Sequence, residues 1–151
     1  MMPWKNVVIG MSLCVFAVVA AGCATSAAPA AKGDAGAAQQ LVTAWSAALQ
    51  AGDTEKIMAH YSEQFANAVY PSKAAVRDAV EQARVIGYLE GMSIDATKVA
   101  VSDADGQMTV GPITLTGAFG QHVVNLQLRE EGGALKIVSA EDLTAQAPAA
   151  L

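Results

Sequence analysis

The hydrophobic period of this chain changes once, near Met92, and that change decides what it can fold into. Before it, apolar residues recur at helical spacing. Ala38, Leu41, Val42, Trp45, Ala48 and Leu49 share one face, with Gln39, Gln40, Thr43, Ser46 and Gln50 on the other. After it the period is two: His122, Val124, Leu126 and Leu128 point one way, and Val123, Asn125, Gln127 and Arg129 the other. Helices followed by short-turned strands pack as an α+β domain, the helices covering one face of an antiparallel sheet.

Three helices are expected. Asp34 can cap the first and Gly52 suits its left-handed stop. Asp53 caps a short second helix carrying Ile57, Met58 and Tyr61. Tyr70-Pro71-Ser72 breaks the chain and Ser72 caps a third, with Val76, Ala79, Val80 and Ala83 as its buried face. Arg77 and Glu81, one turn apart on the wet face, read as a solvated pair. Beyond Met92, turn sequences at 103–106, 117–120 and 130–133 separate about four strands, with Asp95 facing solvent. The phase slips at Gly111-Pro112, which predicts a bulge that bends the sheet.

The N-terminal stretch obeys neither period. Lys5 precedes an apolar run from Val7 to Ala21, about fifteen residues, short of the roughly 20 that span a bilayer. It closes on Ala20-Ala21-Gly22-Cys23, which resembles the bacterial lipobox, although Ala20 stands where Leu is usual. The resemblance implies removal of residues 1–22 and lipidation of Cys23. Two acyl chains hold a protein firmly without help from charge. Ala24, rather than Asp, follows the cysteine. By resemblance to the sorting pattern of two-membrane bacteria, this implies the periplasmic face of the outer membrane. Residues 23–36 read as the lipidated cysteine and a flexible tether, 37–142 as the domain and 143–151 as a disordered tail.

Composition narrows function by exclusion. The net charge is −5, and nine Lys and Arg are scattered along the chain, so the basic footprint of nucleic-acid binding is missing. The two cysteines, Cys14 and Cys23, both precede the domain and leave it no disulfide or cysteine metal site. No phosphate loop, His-x-x-x-His or Gly-x-Ser-x-Gly occurs, and Asp103-Ala104-Asp105-Gly106 lacks the distal Glu of a calcium loop. No metal or cofactor is expected.

Two segments carry a further resemblance. Residues 45–53, Trp-Ser-Ala-Ala-Leu-Gln-Ala-Gly-Asp, followed by His60-Tyr61-Ser62-Glu63-Gln64-Phe65, are similar to the opening of nuclear-transport-factor-2-like domains. Residues 126–138 resemble their last hairpin, with Leu135 where tryptophan is common. The resemblance implies a cone-like pocket between helices and a curved sheet of about four strands. The superfamily includes ketosteroid isomerase, scytalone dehydratase and polyketide cyclases beside many binding domains without chemistry, so fold alone assigns no reaction. The candidate pocket-lining residues are Trp45, His60, Tyr61, Tyr70, His122 and Leu126. Trp45 reads first as core, Tyr61 and Tyr70 as core rings with polar tips, and the two histidines as satisfied side chains. No catalytic residue is assigned. The expected function is that of a membrane-anchored envelope lipoprotein binding a small apolar ligand or a protein partner without catalysis. A cofactor-free lyase or isomerase is the alternative, and a homodimer is left open.

Overall fold

The computed structural model describes residues 34–144. The apolar run, Cys23 and most of the tether lie outside the described residues, and among those described no helix is long and apolar enough to cross a membrane. Helix α1 runs Ala35–Ala51, so it begins two residues ahead of the expected edge at 37. The Asp34 carboxylate accepts from the Gly36 and Ala37 amides and fixes that start. Helix α2 (Thr54–Ala59) starts under Asp53, and α3 (Lys73–Val85) under Ser72. Of the four apolar residues on the inner face of α3, only Val76 is fully buried; Ala79, Val80 and Ala83 are half-buried. The Arg77–Glu81 pairing does not form. Arg77 reaches across to Glu55 on α2 with both terminal guanidinium nitrogens, and Glu81 pairs with Arg84. The fork meets the two oxygens of the Glu55 carboxylate on the neighbouring helix, which fixes its geometry as well as its charge.

The sheet has five strands rather than four. The stretch read as its first strand divides into β1 (Ser93–Asp95) and β2 (Ala100–Ala104), because Asp95 accepts from both the amide and the hydroxyl of Thr97 and turns the chain there. Both pieces pair with β3 (Gln107–Gly117), β1 with its last residues and β2 with its first. The bulge at Gly111-Pro112 separates the two pairings: Val110 lies opposite Leu126 of β4 (Gly120–Glu131), but Ile113 opposite Val124. Strand β5 (Ala134–Asp142) completes the order β1-β3-β4-β5.

The outer edge of β5 is not left open. Ile137 donates its amide to the His60 carbonyl at 2.8 Å and accepts from the Ser62 amide at 2.9 Å, so the segment after α2 runs beside it as an added bridge. Asn67 extends the seam by donating its side-chain amide to Ala140 O at 2.9 Å. A polar clasp locks it: Ser62 Oγ donates to Glu131 Oε1 at 2.8 Å, and Arg129 donates to both Glu131 and Gln64. The core sits between the concave face and the helices, with Trp45, Ile57, Met58 and Phe65 meeting Val110, Ile113, Leu126, Leu128 and Ile137.

Candidate functional site

The inward row of β4 shows where the molecule closes and where it opens. Leu128 and Leu126 are 0% and 1% exposed, whereas Val124 and His122, on the same face, are half-buried. On β3 the fully buried Ile113 gives way to the half-buried Leu115. The concave face therefore seals under the helices at one end and opens to solvent where the β3–β4 hairpin turns.

Three of the expected pocket residues lie at the sealed end and are core. Trp45, Tyr61 and Leu126 are at most 8% exposed and pack in one cluster, with the Tyr61 and Phe65 rings edge to face at 5.1 Å. Burial pushes the Tyr61 hydroxyl up to about 12; the Trp45 side chain opposes that shift and Tyr70 adds to it. The Trp45 indole N–H has no acceptor at bonding geometry, so its influence on Tyr61 is one of proximity. His60 and Tyr70 are not part of this buried cluster. His60 closes α2 beside β5, and its pKa is held below the ordinary histidine value by burial and then by Lys136. Tyr70 is exposed in a turn held by the Asn67 side chain. An open hollow of about 250 Å³ lies between the end of α1 and the loop after α3, lined by Gln50, Ala51, Gly52, Arg84, Leu89 and Glu90. It contains none of the six expected residues.

His122 is the expected residue that stands at the open end, and its partners there were not anticipated. Its Nδ1 lies 2.7 Å from Asp142 Oδ2. An ionised carboxylate only accepts, so Nδ1 carries the hydrogen and donates it, leaving Nε2 turned away. Partial burial works to raise the Asp142 pKa, but hydrogen bonds from His122 and from the backbone and hydroxyl of Thr144 outweigh it, and the carboxyl sits below its ordinary value. The Phe119 ring lies 5.7 Å from the imidazole, and Tyr88, on the loop after α3, lies 6.3 Å from Phe119. Gly117 makes room for this arrangement, since a Cβ there would meet the Phe119 ring at 2.8 Å. Leu143 and Thr144 fasten the chain end beside the site: the Leu143 amide donates to Val123 O, and Thr144 Oγ1 accepts from the Val123 amide. The result is a shallow shelf with aromatic walls, an apolar floor of Val124 and Leu115, and one carboxylate-held imidazole.

No family model matches the chain, and no curated protein is similar to it. Among solved structures, it is similar to a cystatin-like-fold protein of unknown function from Nostoc punctiforme, with 14% identity over 72% of this chain and 89% of that one and a TM-score of 0.60. A nuclear-transport-factor-2-like protein of unknown function from Pseudomonas putida gives 18% identity over 70% and 82%, with a TM-score of 0.57. Bd1075 of Bdellovibrio bacteriovorus gives 16% identity and a TM-score of 0.60 over 70% of this chain, which spans only 39% of Bd1075. At such identities the likeness is one of fold: helices on a curved antiparallel sheet, in the nuclear-transport-factor-2-like arrangement.

Proposed function

We propose that this chain is an envelope lipoprotein, held by a lipid on Cys23, whose domain binds a small apolar ligand at the open end of its concave face without transforming it. The loss of burial along β4, from Leu126 to Val124 and His122, carries this reading. It leaves inward-facing apolar side chains accessible at one end of the strand while those under the helices are buried. The aromatic side chains Phe119 and Tyr88 add contact area with little conformational freedom to lose. The anchor rests on the lipobox-like Ala20-Ala21-Gly22-Cys23 and the apolar run before it. Ala24 after the cysteine supports the outer membrane in a two-membrane host. With a lipid at Cys23 and a tether of small residues, the domain has the reach to stand clear of a membrane surface.

One observation favours the alternative of a cofactor-free lyase or isomerase. A histidine held through Nδ1 by a carboxylate presents Nε2 as a general base. We favour binding because the pair is open, with side chains 41% and 33% exposed, and lacks the exclusion of water that proton abstraction from carbon exploits. Native mass spectrometry of the gently extracted full-length chain tests the proposal. Retention of an apolar small molecule supports it. A chain that emerges unliganded from its own membrane contradicts the ligand-binding function.

A further inference from the structure

Five large apolar side chains stay exposed among the described residues, and three of them fall within four positions: Val85, Ile86 and Tyr88, at 77%, 55% and 41% exposure. Val85 ends α3, and Gly87, at φ +79°, turns the chain tightly after it. The amides of Ile86, Gly87 and Tyr88 donate to Gln82 O, Arg84 O and Ala83 O at 3.1, 3.2 and 2.8 Å. The turn thus satisfies these donors itself and can leave water without stranding them. Residues 85–89, Val-Ile-Gly-Tyr-Leu, carry no charge. Neither does the adjoining hairpin turn 116–121, Thr-Gly-Ala-Phe-Gly-Gln, whose Phe119 ring lies 6.3 Å from that of Tyr88. Arg84, at the base of the turn, is drawn aside by two hydrogen bonds to Glu81.

Such a tip suits one kind of partner. Three side chains at these exposures present on the order of a few hundred Å², short of the roughly 800 Å² that each side of a stable protein interface buries. A lipid interface needs no such area and no matching shape, and it takes tyrosine at headgroup depth with aliphatic side chains below. The tether permits the contact. The hollow formed by Gln50, Gly52, Arg84 and Leu89 sets the tip beside the C-terminal end of α1, about 25 Å along that helix from Asp34. From Cys23 to Asp34 the chain reaches about 36 Å when extended, so a lipid on Cys23 and the tip can meet one membrane.

We infer that Val85, Ile86 and Tyr88, with Phe119 beside them, dip into a lipid surface and give the domain a second, non-covalent hold on the membrane. This inference rests on the proposed lipid at Cys23. It turns the open end of the concave face, which Phe119 and Tyr88 wall, toward the lipid.

Spin labels test it in the full-length chain, extracted with its anchor and reconstituted into phosphatidylcholine vesicles. One label is placed by Ile86→Cys and the other by Ser102→Cys, on exposed β2 at the far end of β3 from the hairpin turn. Electron paramagnetic resonance reads the access of each label to oxygen, which concentrates in lipid, and to a nickel chelate, which stays in water. At 86 oxygen should dominate and the chelate be excluded, while 102 should stay open to the chelate. Val85→Asp, in a chain shown to be folded by circular dichroism, should readmit the chelate at 86. Equal chelate access at 86 and 102 overturns the inference and leaves the anchor standing, as does exclusion at 86 that persists in folded Val85→Asp. Exclusion of oxygen and chelate together means that a second copy, not lipid, covers the tip, and overturns it too. A wild-type chain that takes the label on Cys23 overturns the anchor and the inference together.

Discussion

His122 and Asp142, 20 residues apart in sequence, meet at 2.7 Å across the β4–β5 ladder because Val124, not Val123, stands opposite Asp142. That register puts the carboxylate on the concave face, on the same side as the imidazole. The folded-state pKa of Asp142 lies below its unfolded value, so its contribution to stability is present above about pH 4 and is lost as pH falls through the folded pKa. Asp142→Asn should therefore destabilise the protein at pH 6, and the gap between variant and wild type should close on acidification. Urea denaturation between pH 6 and pH 3 measures it. A gap independent of pH would mean that the pair contributes nothing as an ion.

Much of the fold is legible in the sequence, and what is not turns on two local events. The caps at Asp34, Asp53 and Ser72, the helical stripe through Trp45 and the alternation of 122–129 each follow from one residue pattern, and the structure places an element at each. The bulge at Gly111-Pro112 is announced by a phase slip. The second bulge is marked more faintly. It falls in β5 at Val138, between the Leu128–Ile137 and Gln127–Ser139 pairings, where the apolar phase moves from Leu135 and Ile137 to Val138 and Ala140 with no glycine or proline beside it. Without it, hairpin register would set Asp142 opposite Val123 on the outer face; with it, the carboxylate turns inward to His122. Strand parity counted without that slip therefore misses the partner of His122. Phe119 and Tyr88 were hidden for another reason: each sits in a turn, where periodicity carries no information.

Gly111 tests the bulge. A Cβ there would meet Asn125 Oδ1 at 2.1 Å and the Val124 carbonyl oxygen at 3.0 Å. Gly111→Ala should cost about 1–3 kcal/mol by overpacking. Asn125→Ala in the same chain should recover part of that loss, because it removes the side-chain clash and leaves the backbone one. Chemical denaturation of the two single variants and the double variant gives the coupling. Strict additivity would show that the two residues do not compete for one space.

Ser62 tests the clasp on the β5 edge. Only 1% exposed, it donates to Glu131 and accepts from the Gln64 amide at 3.0 Å. Ser62→Ala removes a bond to a charged acceptor and strands an amide, at a cost of about 2 kcal/mol. Hydrogen exchange should then rise at the Ser62 and Ile137 amides before it rises in β3 or β4. Unchanged protection along that seam would mean that the backbone bridge holds without the clasp.

Native mass spectrometry of paired variants tests most directly whether a ligand is retained by the open end and not by another part of the molecule. Val124→Glu places a charge on the floor of the shelf; Thr114→Glu places the same charge on the opposite face of the sheet, one position along β3 from Ile113. Both are extracted in full length under gentle conditions beside the wild type, and each is checked for folding by circular dichroism. A small molecule should be retained on the wild type and on Thr114→Glu, and lost from a folded Val124→Glu. Equal retention by all three would place binding elsewhere and contradict a site at the open end.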